Sequence, residues 1–559
     1  MFVLQLSTAI LRVPTRRASL CHARSLAGWG AALAASIVLA TACTTLPSAR
    51  SLDRPVTHAL AAPETTPLGQ ALASLQSAHP GQSGFRLLTD GTEALRTRIV
   101  LARAATKTLD LQYYVAAEDA TGKLILATAL HAADNGVRVR LLVDDLNFKD
   151  SERVMAALDM HPAIEVRVFN PFGSASSGAF ARTTNLFTKI DRFTRRMHNK
   201  AMIADNEVAI VGGRNLGDEY FSASSTVQFR DVDALVAGPV VRDISASFDT
   251  FWNSEASYPL SALKKHAYAE PELNTMRDTL RAYWRDNADA YGANPADPTP
   301  LATRIAHAQL ALVWAPAELD VDLPSKVAVP TVANTSPPMQ RVAELVHGAR
   351  REVLIVSPYF VPHDAGVRTL GELTRRGVRV AVLTNSMAST DNIAVQAGYS
   401  PYRIPLLENG VELYEYRPQR GDHEDEDEGT RSRASLHVKA YVIDRSTLVI
   451  GSMNLDPRSA HLNTELVLVV HSRQLADQVA ALFGQAASPR SSYRVRLATP
   501  AEKAELRAIG APVSGLVWTG EEQGENGPYM ATWALDPNGG LVRNLMTGLF
   551  LLLPIDSEL

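Results

Sequence analysis

Histidine, lysine and asparagine recur in this chain at one fixed spacing, and the recurrence makes them candidates for chemistry. His198-Asn-Lys200-Ala-Met-Ile-Ala-Asp205 and His437-Val-Lys439-Ala-Tyr-Val-Ile-Asp444 both read H-x-K-x4-D and lie 239 residues apart. Each runs through a strand-like stretch into a Gly-rich turn ending in asparagine, Val211-Gly-Gly-Arg-Asn215 in one copy and Ile450-Gly-Ser-Met-Asn454 in the other. These residue types suit attack on a phosphodiester, whose negative oxygens repel a nucleophile until their charge is neutralised. Lys200 and Lys439 supply fixed ammoniums, and Asn215 and Asn454 supply amide donors that bind the substrate phosphate. One neutral imidazole attacks phosphorus, while the other, protonated, donates to the leaving alkoxide and later takes a proton from the incoming hydroxyl. An imidazole pKa near neutrality suits both tasks. Charge neutralisation by lysine and asparagine calls for no metal and no cofactor.

The elements that must position these residues are themselves repeated. Asn135-Gly-Val-Arg-Val-Arg-Leu-Leu142 returns as Arg376-Gly-Val-Arg-Val-Ala-Val-Leu383, at an offset of 241. Ahead of the first copy, Leu95, Ile99 and Ala102 share a helical face and Leu109–Val115 reads as a strand. Val342, Leu345, Val346 and Ala349 then Glu352–Val361 repeat that rhythm. A near-constant offset means internal duplication: two α/β domains related by a pseudo-two-fold axis, with one divided site at their interface.

The paired motifs resemble those of the phospholipase D superfamily. Phe85-Arg-Leu-Leu-Thr-Asp-Gly, Arg195–Lys200, Val211–Tyr220 and Leu455-Asp-Pro-Arg-Ser459 are similar to the bacterial cardiolipin synthase C group, over residues 85 to 559. The likeness departs at the acidic insertion Asp422–Glu428. It implies two phospholipase D-type sandwich domains, a phosphohistidine intermediate, and acidic partners for the imidazoles at Asp233 and Glu465. It implies that Asp205 and Asp444 brace the motif, and it favours His198 as nucleophile, which the symmetry of the motifs leaves open. The implied activity is transfer of a phosphatidyl group from phosphatidylethanolamine or phosphatidylglycerol to phosphatidylglycerol, giving cardiolipin. A hydrolase releasing phosphatidic acid uses the same residues. A nuclease and a non-catalytic envelope scaffold fit less well: the first is typically a short single-motif dimer, and the second has no need of two intact histidines.

Composition bounds the setting. The 559 residues suit two to three units, and the formal charge of −4 argues against a nucleic-acid partner. The two cysteines, Cys21 and Cys43, allow no disulfide framework in the body of the chain. Residues 1–42 read as a signal peptide, with a basic stretch from Arg12 to Arg24 and an apolar one from Leu26 to Leu39. Leu39-Ala-Thr-Ala-Cys43 resembles a lipobox, with Ala40 where leucine is usual, so that Cys43 becomes an acylated N-terminus on an envelope membrane. The alternative is an uncleaved membrane anchor. The expected organisation is then a tether over 43–84, a first domain over 85–314 with a helical insertion at 242–300, a second over 315–488, and an extension over 489–559. Which membrane holds the anchor, and whether an accessory protein is needed, are not written in the residues.

Overall fold

Two sheets of one design carry the two repeats. The computed structural model describes residues 52–146, 148–172, 194–263, 268–291, 301–307, 309–327, 336–418, 433–508 and 514–537. The first half contributes β1 (Ser83–Leu88), β2 (Thr108–Tyr113), β3 (Arg138–Asp144), β4 (Ile164–Phe169), β5 (Ala201–Ala204) and β6 (Val208–Gly212). It continues with β7 (Val227–Arg230), β8 (Asp233–Ala237), β9 (Ser257–Pro259) and β10 (Val313–Ala315). All but β7 form a nine-stranded sheet in the order β10-β1-β8-β6-β5-β2-β3-β4-β9.

The second half supplies β11 (Ala317–Val321), β12 (Glu352–Val356), β13 (Arg379–Asn385), β14 (Glu412–Tyr416), β15 (Arg433–Leu436) and β16 (Ala440–Ile443). After these come β17 (Thr447–Gly451), β18 (Leu466–Val470), β19 (Ser492–Leu497), β20 (Leu516–Gly524) and β21 (Gly527–Trp533). Their order is β11-β18-β17-β16-β12-β13-β14-β19-β20-β21, with β15 outside. Eight strands, β1 to β9 without β7, map onto β11 to β19 without β15 in unchanged order. The duplication is therefore a duplication of topology. β2, β3 and β4 run parallel at the centre of one sheet, as β12, β13 and β14 do in the other.

Burial explains the strand sequences. β2 is buried along its whole length, as a strand covered on both faces must be. Leu109, Leu111 and Tyr113 meet helix residues Leu95, Ile99 and Leu130 in one core. From the opposite face, Leu142, Ile203 and Val211 share a second core with Leu354, Leu383 and Ile450 of the other half. The halves are thus joined through apolar packing, and the site lies along that seam. The helices that lead into β3 and β13 each end on a glycine: Gly136 has φ +85° and Gly377 φ +82°, the left-handed geometry that glycine adopts at no steric cost.

Three boundaries differ from the expectation. The tether over 43–84 is, from residue 52, part of the first half. The helix Pro67–Ala78 is capped by the Thr66 hydroxyl, which accepts from Gly69 N–H at 3.1 Å, and it buries Leu68 and Leu72 completely. Arg140 and Arg167 further clamp the preceding segment through the carbonyls of Thr57 and Pro55. Thr-Pro, which reads as loop composition, is here a helix start with proline in the first turn. The insertion at 242–300 is not wholly helical, since β9 pairs with β4. Likewise β19 to β21, expected in a separate extension, continue the second sheet. Cys43 with its signal peptide, the acidic run at 422–428 and the C-terminal tail lie outside the described residues.

Candidate active site

Each histidine is set by the strand ends beneath it. Asp144 closes β3 and Asn385 closes β13. The Asp144 carboxylate accepts the N–H of Met197 at 2.9 Å. Asn385 accepts from Leu436 N–H and donates to Leu436 O, both at 2.9 Å. The carboxyl ends of the central parallel strands therefore grip the residue before each histidine, at the edge where open α/β sheets carry their sites. The chain then runs through His198 into β5, and through His437 into β16.

At the far end of those strands, Asp205 and Asn206 have φ of 52° and 56°, and Asp444 and Arg445 have 52° and 54°. Two successive left-handed residues make the tight hairpin turn that matches strand twist. Asp205 accepts from the N–H groups of Thr106, Lys107 and Thr108 and from the Thr106 hydroxyl, at 2.8–2.9 Å. Asp444 does the same for the N–H groups of Arg350, Arg351 and Glu352. The two aspartates sit where a brace belongs, hydrogen-bonded to the entry of β2 and of β12.

The two halves trade segments at the site. His198 N–H donates to Thr464 O, and Thr464 N–H to Arg196 O, both at 2.9 Å. In the other copy β15 pairs in parallel with β7, and His437 N–H donates to Arg230 O at 2.8 Å. The residue after Thr464 is Glu465, and the residue after Arg230 is Asp231. Each carboxylate is thereby delivered to the histidine of the opposite half: Glu465 Oε2 lies 2.9 Å from His198 Nδ1, and Asp231 Oδ2 lies 2.6 Å from His437 Nδ1. Ser452 and Ser459 hydroxyls hold Glu465 at 2.5 and 2.7 Å. Asp231 is packed so closely on Gly213 that a Cβ there would come within 2.4 Å of its Oδ1.

Asp233, expected to orient an imidazole, does not. Its Oδ2 is shared between Arg98 at 2.9 Å and Arg214 at 3.2 Å, all three groups buried. The sheet register explains the error. Gly212 pairs with Asp233, and its counterpart Gly451 pairs with Val467. Two residues earlier in the chain, just ahead of each strand, come Asp231 and Glu465, which are therefore the equivalent pair. Asp231 and Asp233 stand only two residues apart in Arg230-Asp-Val-Asp233, and the resemblance alone did not separate them. Sequence reasoning also passed over the aromatic neighbours, which carry no motif. Tyr114 stands edge-on to His198 with centroids 5.2 Å apart, and Tyr220 edge-on to His437 at 5.3 Å.

The electrostatics suit an anion. Lys200 and Lys439 donate to the carbonyls of His198 and His437 at 2.6 Å, which leaves other ammonium protons for a ligand. Burial pushes Lys439 down to about 8, against the pull of Asp231 and Glu465. Lys200 is pushed well down by burial and by Lys439. Burial also lowers His198 to about 4, opposed by Glu465, and lowers His437 well below the usual imidazole value, aided by Lys439 and Lys200. Glu465 stays below the ordinary carboxylate range despite burial, because His198, Lys200 and Ser452 favour its charge. A neutral ring with a carboxylate at Nδ1 carries its proton there and keeps a lone pair on Nε2. A bound phosphate anion offsets the repulsion among the cations and makes the second ring easier to protonate. Of the two asparagines, Asn215 donates to Tyr220 Oη at 2.9 Å, whereas Asn454 Oδ1 is buried without a hydrogen-bond partner among the described residues.

A doubled sheet with crossed histidine–carboxylate pairs defines a phospholipase D-type catalytic unit. The cardiolipin synthase, PLD-like domain family matches residues 99–252 and 342–487, one stretch in each half. The chain belongs to that family. It is 39% identical to cardiolipin synthase C of Escherichia coli (strain K12) over 75% of this chain and 88% of that protein. It is 28% identical to cardiolipin synthase A of Pseudomonas entomophila (strain L48), over 70% of this chain and 66% of that one. Among solved structures, phosphatidylserine synthase of Haemophilus influenzae Rd KW20 superposes with a TM-score of 0.50 at 15% identity, covering 76% of this chain and 92% of that one. This last likeness is one of fold.

Proposed function

We propose that this protein is a membrane-associated phosphatidyltransferase that makes cardiolipin through a phosphohistidine intermediate. The observation that carries the reading is the crossed pair of imidazoles, each tied at Nδ1 to a carboxylate from the other half. In this reading His198 Nε2 attacks the phosphorus of a donor phospholipid, and the bond from phosphorus to the headgroup oxygen breaks. His437 gives its proton to that oxygen, and the headgroup alcohol leaves. The glycerol hydroxyl of phosphatidylglycerol then loses its proton to His437 as its oxygen bonds phosphorus and the nitrogen–phosphorus bond breaks. Lys200, Lys439, Asn215 and Asn454 hold the phosphate oxygens throughout. Phosphatidylethanolamine and phosphatidylglycerol are the proposed donors. Cys43, acylated after cleavage of residues 1–42, is the proposed anchor.

Water as acceptor gives phosphatidic acid by the same first step, so the acceptor decides the outcome. Transfer prevails where the site excludes water and holds the lipid hydroxyl in attack geometry. Purified protein in vesicles of phosphatidylglycerol and phosphatidylethanolamine is expected to form cardiolipin as the main product. His198→Ala and His437→Ala should each lower the rate by orders of magnitude, as residues acting as a unit do. Phosphatidic acid as the main product would replace the transferase reading with a hydrolase one, and comparable turnover in either alanine variant would end the divided-site mechanism.

A further inference from the structure

The two sides of the site copy each other in histidine, lysine and asparagine, but not throughout. Ala116 bridges Leu216 and Phe360 bridges Leu455 in the same parallel sense, so the residues just before them, Val115 and Tyr359, are equivalent. Val115 has no polar side chain, and its backbone N–H donates to Asn215 Oδ1 at 3.3 Å. Tyr359 instead donates its hydroxyl to Asp391 Oδ2 at 2.7 Å. Its position is fixed next to the phosphate-binding turn. Ser357 Oγ donates to Tyr359 O at 2.6 Å and accepts from the N–H of Leu455 at 3.1 Å, and Leu455 follows Asn454 directly.

Asp391 is exposed, whereas His198 and His437 are only 8% and 7% exposed. The Tyr359–Asp391 pair therefore stands at the rim of the buried centre. It stands on one side of it. The Asp391 charge acts on Lys439 and on Tyr220, and the Tyr220 ring is edge-on to His437. A carboxylate beside a phosphate site repels the ligand unless the ligand brings hydrogen-bond donors to it.

We infer that Tyr359 and Asp391 form a headgroup subsite on the His437 side, in which Asp391 accepts hydrogen bonds from a donor-bearing alcohol headgroup. The shared chemistry is a small alcohol carrying either an ammonium or further hydroxyls; ethanolamine and glycerol are the two sources. The inference rests on the phosphatidyl-transfer reading and deepens it. The headgroup oxygen departs beside the ring that gives it a proton, so a headgroup subsite near His437 makes His437 the acid and leaves the attack to His198. The same subsite then receives the glycerol headgroup of the acceptor. Tyr359 acts as a positioning residue for Asp391.

The test compares full-length protein and its Asp391→Asn variant on three donors in mixed micelles: phosphatidylethanolamine, phosphatidylglycerol and phosphatidyl-p-nitrophenol, whose headgroup carries no hydrogen-bond donor. The variant is expected to lose kcat/KM on the order of tenfold with the first two donors and to keep kcat/KM for p-nitrophenol release within about twofold of wild type. A loss confined to one of the two natural donors identifies the headgroup Asp391 reads. Asp391→Glu should recover part of the loss. Equal losses on all three donors would make Asp391 a structural residue, and no loss on any would remove it from the headgroup site; either outcome overturns the inference. Failure of the wild type to release p-nitrophenol would instead show that the phosphatidyl-transfer reading itself is wrong.

Discussion

At the scale of single residues, the Nδ1 atom of each histidine is committed to a carboxylate of the other half, and that commitment governs which proton each ring can move. Asp231 lies 2.6 Å from His437, and Asp233 lies two residues on, between Arg98 and Arg214. The two aspartates stand two residues apart yet have separate tasks, and substitution should separate them. Asp231→Asn removes the charge that orients His437 and stabilises its protonated form. Turnover should fall by about a hundredfold or more, with little change in stability. Asp233→Asn leaves two buried guanidiniums without their shared anion and should destabilise the fold by about 3–5 kcal/mol while the folded fraction remains active. Urea unfolding and single-turnover rates on both variants check this. Lost turnover with unaltered stability in Asp233→Asn would reverse the two roles.

At the scale of elements, the hairpin between β5 and β6 shows what the motif's last residue does. Asp205 gathers three backbone N–H groups and one hydroxyl at the start of β2, and it occupies a left-handed position that asparagine also tolerates. Asp205→Asn therefore keeps the turn but weakens the acceptor. Stability should drop by about 1–3 kcal/mol, and kcat/KM per folded molecule should stay within about threefold of wild type. A large loss of kcat/KM in stably folded variant would mean that Asp205 acts on the substrate. Much of this element-level plan was legible in the residues. The offset of His198 to His437 and of Leu142 to Leu383 foretold a repeated sheet, since duplicated local patterns must bury duplicated faces. What was hidden depends on long-range register. The parallel pairing of β7 with β15 joins residues about 200 apart, and neither strand's own pattern names its partner. The helix Pro67–Ala78 was hidden differently: its Thr66 cap and Pro67 look like loop composition until Leu68 and Leu72 find a core.

At the scale of the whole molecule, the catalytic unit is acidic and its proposed substrates are lipids of a bilayer. Residues 43–559 carry a formal −8, because residues 1–42 hold four arginines and no acid. A membrane rich in phosphatidylglycerol repels such a surface over roughly 10 Å at moderate salt. No described helix is long and apolar enough to cross a membrane. In the proposed reading attachment comes from acyl chains at Cys43, where more than one chain gives stable binding and a single chain is marginal. Cys43→Ser should move the protein from the membrane to the soluble envelope fraction. The purified variant should retain wild-type turnover on short-chain phospholipids dissolved as monomers, because the divided site is untouched. On phosphatidylglycerol vesicles its rate should fall by at least about tenfold and recover partly as salt screens the repulsion. Intact-mass analysis is the direct check. A wild-type chain with an unprocessed N-terminus and no lipid would rule out Cys43 as the anchor, and equal vesicle activity in the variant would mean that another surface of the protein holds the bilayer.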